Sequence, residues 1–320
     1  MPQQSRQQEF DQALDGLLSD ITSFQPEGDF NQRTTEGVHA LVAALISGKH
    51  ERERLAAGML SDVAFFSRLI PFFPRLNVIA EPVSLLLLAA NAITSAGEIA
   101  PGHYVSLDEY REERQNPTLA DAPKATPQNL ESSSLWQTTG GLVAGAVARI
   151  AKNSAEKKNQ LRKPSRWGVR AVIASNIGYS AAAYGAGARP QPKMIGIYTG
   201  IWAAGVGAAM IAAKNNKVSS DMVPAVVLGG AATATTAALT SDESVFRSGS
   251  VAARGASHGA NVLFATEAMT FARALLEGQM EAKSHKRHVL KRGLSGALGL
   301  AESTATFLGH LLLADGLNRR

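Results

Sequence analysis

The chain has 320 residues, 45 % of them hydrophobic and only 18 % charged, against roughly 25 % charged in ordinary soluble domains. That length holds two domains or one bundle with an added segment, and the lack of cysteine excludes disulfides, thiolate metal sites and cysteine nucleophiles. The net charge is +5, and its uneven placement directs attention to anionic surfaces and acidic partners.

The polar start, Met1 to Gln8, lacks the apolar core of a secretory signal peptide. Synthesis in a cytoplasm is therefore expected, with any export using a route that reads no such signal. Phe10, Leu14, Leu17, Leu18, Ile21 and Phe24 share one helical face, and Pro26 and Gly28 stop that helix. A second amphipathic helix is expected over about 36–47, burying Val38, Leu41, Val42, Leu45 and Ile46. A third carries Leu55, Met59, Val63 and Phe66 and is broken by Pro71 and Pro74. The uncharged stretch between Glu81 and Glu98 is short for a bilayer and normal for a buried core helix. From Pro101 to about Glu131 the periodicity is lost among prolines and acids, as in a linker.

Beyond the linker the character changes. Uncharged Ala/Gly-rich runs recur at 132–148, 171–188, 194–213 and 222–241. A helix of about 20 residues covers about 30 Å, the thickness of a hydrocarbon core, and 194–213 is the strongest candidate. Two further helices, about 257–278 and 293–314, carry Glu267, Arg273 and Glu302 and read as amphipathic rather than spanning. The expected organisation is an N-terminal amphipathic helical region (1–100), a Pro-rich acidic linker (101–131) and an Ala/Gly-rich bundle (132–320). The fold class is all-α: a membrane-associated bundle of Ala/Gly-rich helices preceded by an amphipathic helical segment.

Inside a bilayer, lipid is as apolar as leucine, so helices associate through close backbone approach at small residues. Gly141-x-x-x-Gly145 and Gly196-x-x-x-Gly200 have that spacing, and Gly205 and Gly207 continue the second surface. In a soluble helix each such glycine costs about 1 kcal/mol relative to alanine, so packing must offset it. These six glycines are the expected helix-packing positions, and self-association through the same faces is a further expectation.

Basic residues gather in two runs. The first holds Arg149, Lys152, Lys157, Lys158, Arg162, Lys163, Arg166 and Arg170 against Glu156; the second holds Lys283, Lys286, Arg287, Lys291 and Arg292. Lys157, Lys158, Arg162, Lys163 and Arg166 are the expected contacts to anionic lipid or to an acidic protein partner. Trp136, Trp167 and Trp202 are too dispersed for base stacking, which argues against nucleic acid. Trp136 and Trp167 lie at the ends of candidate spans, as interfacial tryptophans do.

No catalytic, cofactor or metal site stands out. Gly185-x-Gly187 and Gly205-x-Gly207 lack the strand and downstream acid of a dinucleotide site. His285-x-x-His288 is set among cations that repel a metal, and His310 reads as a satisfied helix residue. Glu267 and Arg273, if buried, need partners such as the ionisable residues of the last helix. The overall character resembles that of delivered bacterial membrane proteins such as secretion-system effectors or translocators, whose spans are weakly apolar. The leading reading is a non-enzymatic membrane-associated protein that inserts, scaffolds or binds a partner; the alternative is a soluble cytoplasmic all-α binding module or enzyme.

Overall fold

The uncharged runs become helices because alanine and the unbranched residues around them favour that backbone, while proline, glycine and asparagine punctuate the joints. The computed structural model describes residues 37–38, 40–41, 44, 56–62, 76–94, 132–158, 160–247, 251–278 and 285–318. The helix expected around Phe10–Phe24, the linker at 101–131 and the side chains of the second basic run lie outside the described residues. Described are α1 (Leu76–Thr94), α2 (Ser132–Lys157), α3 (Arg166–Gly185), α4 (Pro192–Lys214), α5 (Met222–Thr240), a π-helical turn (Glu243–Arg247), α6 (Val251–Gly278) and α7 (His285–Asn318). No strand occurs among the described residues, so the chain is an all-α helical bundle.

The joints follow local chemistry. Ser165 caps α3 by accepting from Gly168 N at 3.4 Å, and Pro192 opens α4 where no amide hydrogen is required. Gly187, at φ +92°, makes the α3–α4 turn, and Asn216, at φ 54°, makes the turn after α4.

Helix contacts define two layers. α1, α2, α3, α5 and α4 lie side by side in that order, and the α6–α7 pair packs across them, with α7 against α1, α2 and α3 and α6 against α5. The core is built largely from alanine. Ala40, Ala44, Ala57, Leu85 and Leu88 share one apolar cluster with Leu142, Tyr179, Phe246, Leu313 and Leu317, so the early helices join the same core as the later ones.

Two crossings bring backbones into contact. At α2–α3, a Cβ on Gly178 would lie 2.6 Å from Gln137 O and 3.0 Å from Gly141 N. At α6–α7, a Cβ on Gly259 would lie 2.5 Å from Leu313 N and 2.6 Å from Gly309 O.

Among the described residues, three helices are long and apolar enough to cross a membrane: α4, α5 and the Gly293–Asn318 part of α7. The runs at 194–213 and 222–241 thus meet the expectation. The run at 132–148 continues into α2's charged end, and that at 171–188 belongs to a helix opened by Arg166 and Arg170. The last helix, expected to be amphipathic only, qualifies because its three charged or titratable residues, Glu302, His310 and Asp315, are widely spaced in an otherwise apolar sequence.

Asp242 ties the α3–α4 turn to the end of α5. Its Oδ2 accepts from Arg189 N at 2.7 Å, and its Oδ1 accepts from Ser244 N at 2.9 Å and Ser244 Oγ at 2.7 Å. Burial alone would raise this carboxyl, but the bonds from Arg189 and Ser244 outweigh it and hold the pKa below the usual aspartate value. A depressed folded-state pKa contributes stability above the unfolded value and loses it as pH falls through the folded one. Asp242→Asn should therefore flatten the fall in melting temperature below about pH 4. An acid limb identical to that of the parent chain would refute this.

Candidate functional site: a buried charge network beside an apolar cavity

The α2 stripe Leu142, Ala146, Arg149, Asn153 follows helical spacing, and all four residues are buried. Arg149 is therefore an interior residue of α2. It donates from Nε (3.1 Å) and Nη2 (2.8 Å) to Glu81 Oε2 of α1, which also accepts from Asn153 Nδ2 at 2.8 Å. Glu81 Oε1 accepts from Ser303 Oγ of α7. Arg149 Nη1 reaches Glu302 Oε1 of α7 at 3.1 Å, and Arg273 Nη1 of α6 reaches Glu302 Oε2 at 3.0 Å. Lys152 pairs with Glu302 and donates to Thr270 Oγ1 at 3.0 Å, while Arg273 also pairs with Glu156.

Four helices thus meet through three cations, Arg149, Lys152 and Arg273, and three carboxylates, Glu81, Glu156 and Glu302. Glu302 is only 1 % exposed and Arg273 only 3 %. Charges this far from water persist only where opposite charge and hydrogen bonds compensate them. Arg273 finds its partner on the last helix, as the sequence led us to expect. Next to the network, His310 Nδ1 lies 2.7 Å from the Tyr179 hydroxyl.

A cavity of about 650 Å³ opens between α2, α3, α4, α5, α6 and α7. Arg149, Lys152, Glu267 and Glu302 line its charged end, and Val172, Ile201, Trp202, Val226 and Phe264 line the rest. Among the described residues, no group of three or more His, Asp or Glu side chains could hold a metal ion.

The expected packing glycines separate into two sets. A Cβ on Gly141 would meet the Tyr179 ring at 2.8 Å, and one on Gly145 would meet the His310 ring at 2.6 Å. Among the described residues, Gly205 has only Val226 nearby, at 3.8 Å, and Gly196, Gly200 and Gly207 have nothing within 4 Å. Gly259 and Gly178, neither of them among the six expected positions, make the tightest approaches together with Gly145, although Gly255-x-x-x-Gly259 has the same spacing.

The expected basic contacts gather at one end of the bundle. Lys157, Lys158, Lys163 and Arg166 are exposed there, with Arg170, Lys214 and Lys217 beside them. Arg162 is engaged instead: it donates from Nε to Lys217 O at 2.9 Å and from Nη2 to Asn216 O at 2.6 Å, fastening the two loops together. Arg162 N also donates to Glu277 Oε2 at 3.1 Å; burial raises the Glu277 pKa in spite of that bond.

Aromatic residues mark both ends. Arg170 stacks on exposed Trp167 at the basic end, 5.3 Å from the ring centre, and Arg189 stacks on exposed Tyr184 at the other, at 4.1 Å. Exposed Trp136 lies at the Tyr184 end. Between the ends the outer surface is apolar, with Val143, Val147, Ile150, Ile177, Ile197 and Ile201 all exposed.

Fold and site define an all-α bundle with three candidate membrane spans among the described residues and an internally neutralised polar core. Compared with known families, curated proteins and solved structures, the chain matches none.

Proposed function

We propose that this is a non-enzymatic, membrane-inserting helical protein whose α3–α4–α5 unit contacts lipid and whose basic end meets anionic headgroups. The observation that carries the reading is α4, a helix of 23 residues of whose most apolar stretch only 11 % is buried. Ile195, Ile197, Ile201, Met210 and Ile211 project from it, and an apolar surface of that extent implies a lipid or protein cover. The aromatic positions favour lipid. Trp167 and Tyr184 lie roughly 25 Å apart along α3, a spacing suited to two interfacial belts around a hydrocarbon layer.

The polar network suits the same setting, because ionisable groups at membrane depth face the bundle interior and pair with one another. Exposed cations crowd the Lys157–Lys217 end, so the positive-inside rule places that end in the cytoplasm of the cell holding the protein. The uncovered glycines of α4 offer a face for a second copy within the bilayer. Weakly apolar, Ala/Gly-rich spans also suit a delivered effector or translocator, since a strongly apolar span would insert in the producing cell.

Fractionation with a carbonate wash tests the reading. Retention in the membrane pellet is expected, and full release would replace it with the soluble all-α binding module or enzyme. Charge reversal at Lys157, Lys158, Lys163 and Arg166, leaving the loop-fastening Arg162 intact, should reduce binding to vesicles containing phosphatidylserine at low salt. Unchanged binding would remove the basic end from the account.

A further inference from the structure

We infer that the cavity between α2, α3, α4, α5, α6 and α7 binds a neutral amphiphile: an apolar body bearing a hydroxyl or amide donor. Its volume of about 650 Å³ falls within the range of small-molecule sites, and its walls are mostly apolar.

The donor requirement comes from Asn176 on α3. This residue lines the cavity and is 6 % exposed. The orientation of its amide is fixed by its neighbours. Nδ2 donates to Val172 O at 2.9 Å and to Thr233 Oγ1 at 3.3 Å. Thr233 spends its own hydroxyl hydrogen on Gly229 O at 2.9 Å, so its oxygen can only accept from Asn176. The atom left over is therefore the amide oxygen. Among the described residues Asn176 Oδ1 is buried without a hydrogen-bond partner. A buried acceptor in that condition is costly, and a ligand donor removes the cost.

Neutrality comes from the charged end of the cavity. Arg149 and Lys152 are committed to Glu81 and Glu302, and Glu267 adds a further carboxylate to the lining. Among the described residues, no surplus positive charge faces the cavity to hold an anionic headgroup. The inference concerns the interior only, so it stands or falls independently of membrane insertion.

Trp202 forms part of the wall and can report occupancy. The chain has three tryptophans, and replacing exposed Trp136 and Trp167 with phenylalanine leaves Trp202 alone. The full-length chain, in phosphatidylcholine nanodiscs or in buffer if carbonate releases it, is titrated with bromine-terminated undecanol. Bromoundecane and bromoundecanoate of the same length serve as comparisons. Saturable quenching is expected, with the alcohol binding about tenfold more tightly than the alkane, as one buried hydrogen bond requires. Asn176→Leu should remove that preference. Ala225→Phe, which fills the cavity, should abolish saturable quenching by all three. Equal quenching by alcohol and alkane in the parent chain would overturn the inference. So would tighter binding of the carboxylate, or quenching that survives Ala225→Phe.

Discussion

Glu302→Leu is expected to destabilise the bundle by about 3–5 kcal/mol, the usual consequence of removing one partner from a buried ion pair. The reason lies in how many groups Glu302 serves. Arg149 and Arg273 approach its two oxygens at 3.1 and 3.0 Å, Lys152 pairs with it, and Thr270 donates to it at 2.9 Å. Removing the carboxylate leaves three cations from two helices facing one another, with Glu81 and Glu156 their remaining ion-pair partners. Thermal unfolding followed by circular dichroism measures the loss.

A double variant separates this from a simple packing defect. Arg149→Met removes one of the stranded cations, so Arg149→Met with Glu302→Leu should cost clearly less than the sum of the two single changes. Strict additivity would mean that the two residues act independently, and the network as described would be wrong. Apolar residues of similar volume can replace buried ion networks with little loss once the whole set is removed. The double variant removes only part of the set and takes from Glu81 its Arg149 pair, so it too should fall clearly below the parent chain.

The helical framework was readable from the sequence because each apolar run exceeds ten residues and is bounded by proline, glycine or a charge cluster. The network was not. Charge near the end of an apolar run normally marks the return to solvent, and Arg149 and Lys152 were grouped with the basic residues that follow them. A usable signal did exist, since Arg149 and Asn153 continue the Leu142–Ala146 stripe at helical spacing and so share its buried face. Their partners could not be found in that way. Glu81 and Glu302 lie 68 and 153 residues from Arg149, and periodicity within one helix carries no information about which helix lies opposite. The cavity is equally non-local, because six helices contribute to it.

The glycines divide the same way, and their division predicts opposite signs for one substitution. Gly259→Ala should destabilise by about 1–3 kcal/mol, because the new methyl meets Leu313 N and Gly309 O, backbone atoms with no rotamer to escape into. The α6–α7 pair would have to separate, and α7 carries Glu302, so the charge network would loosen with it. Gly200→Ala meets nothing within 4 Å among the described residues and should instead gain up to about 1 kcal/mol from helix propensity. Melting temperatures in dilute detergent, where copies are apart, should show this reversal of sign. At high protein density in nanodiscs the Gly200 gain should disappear if α4 meets a second copy through that face, since the added methyl then faces a neighbouring helix. A gain that persists at every density would leave α4 against lipid alone, and loss of stability in Gly200→Ala even when dilute would mean that α4 has a protein neighbour within its own chain.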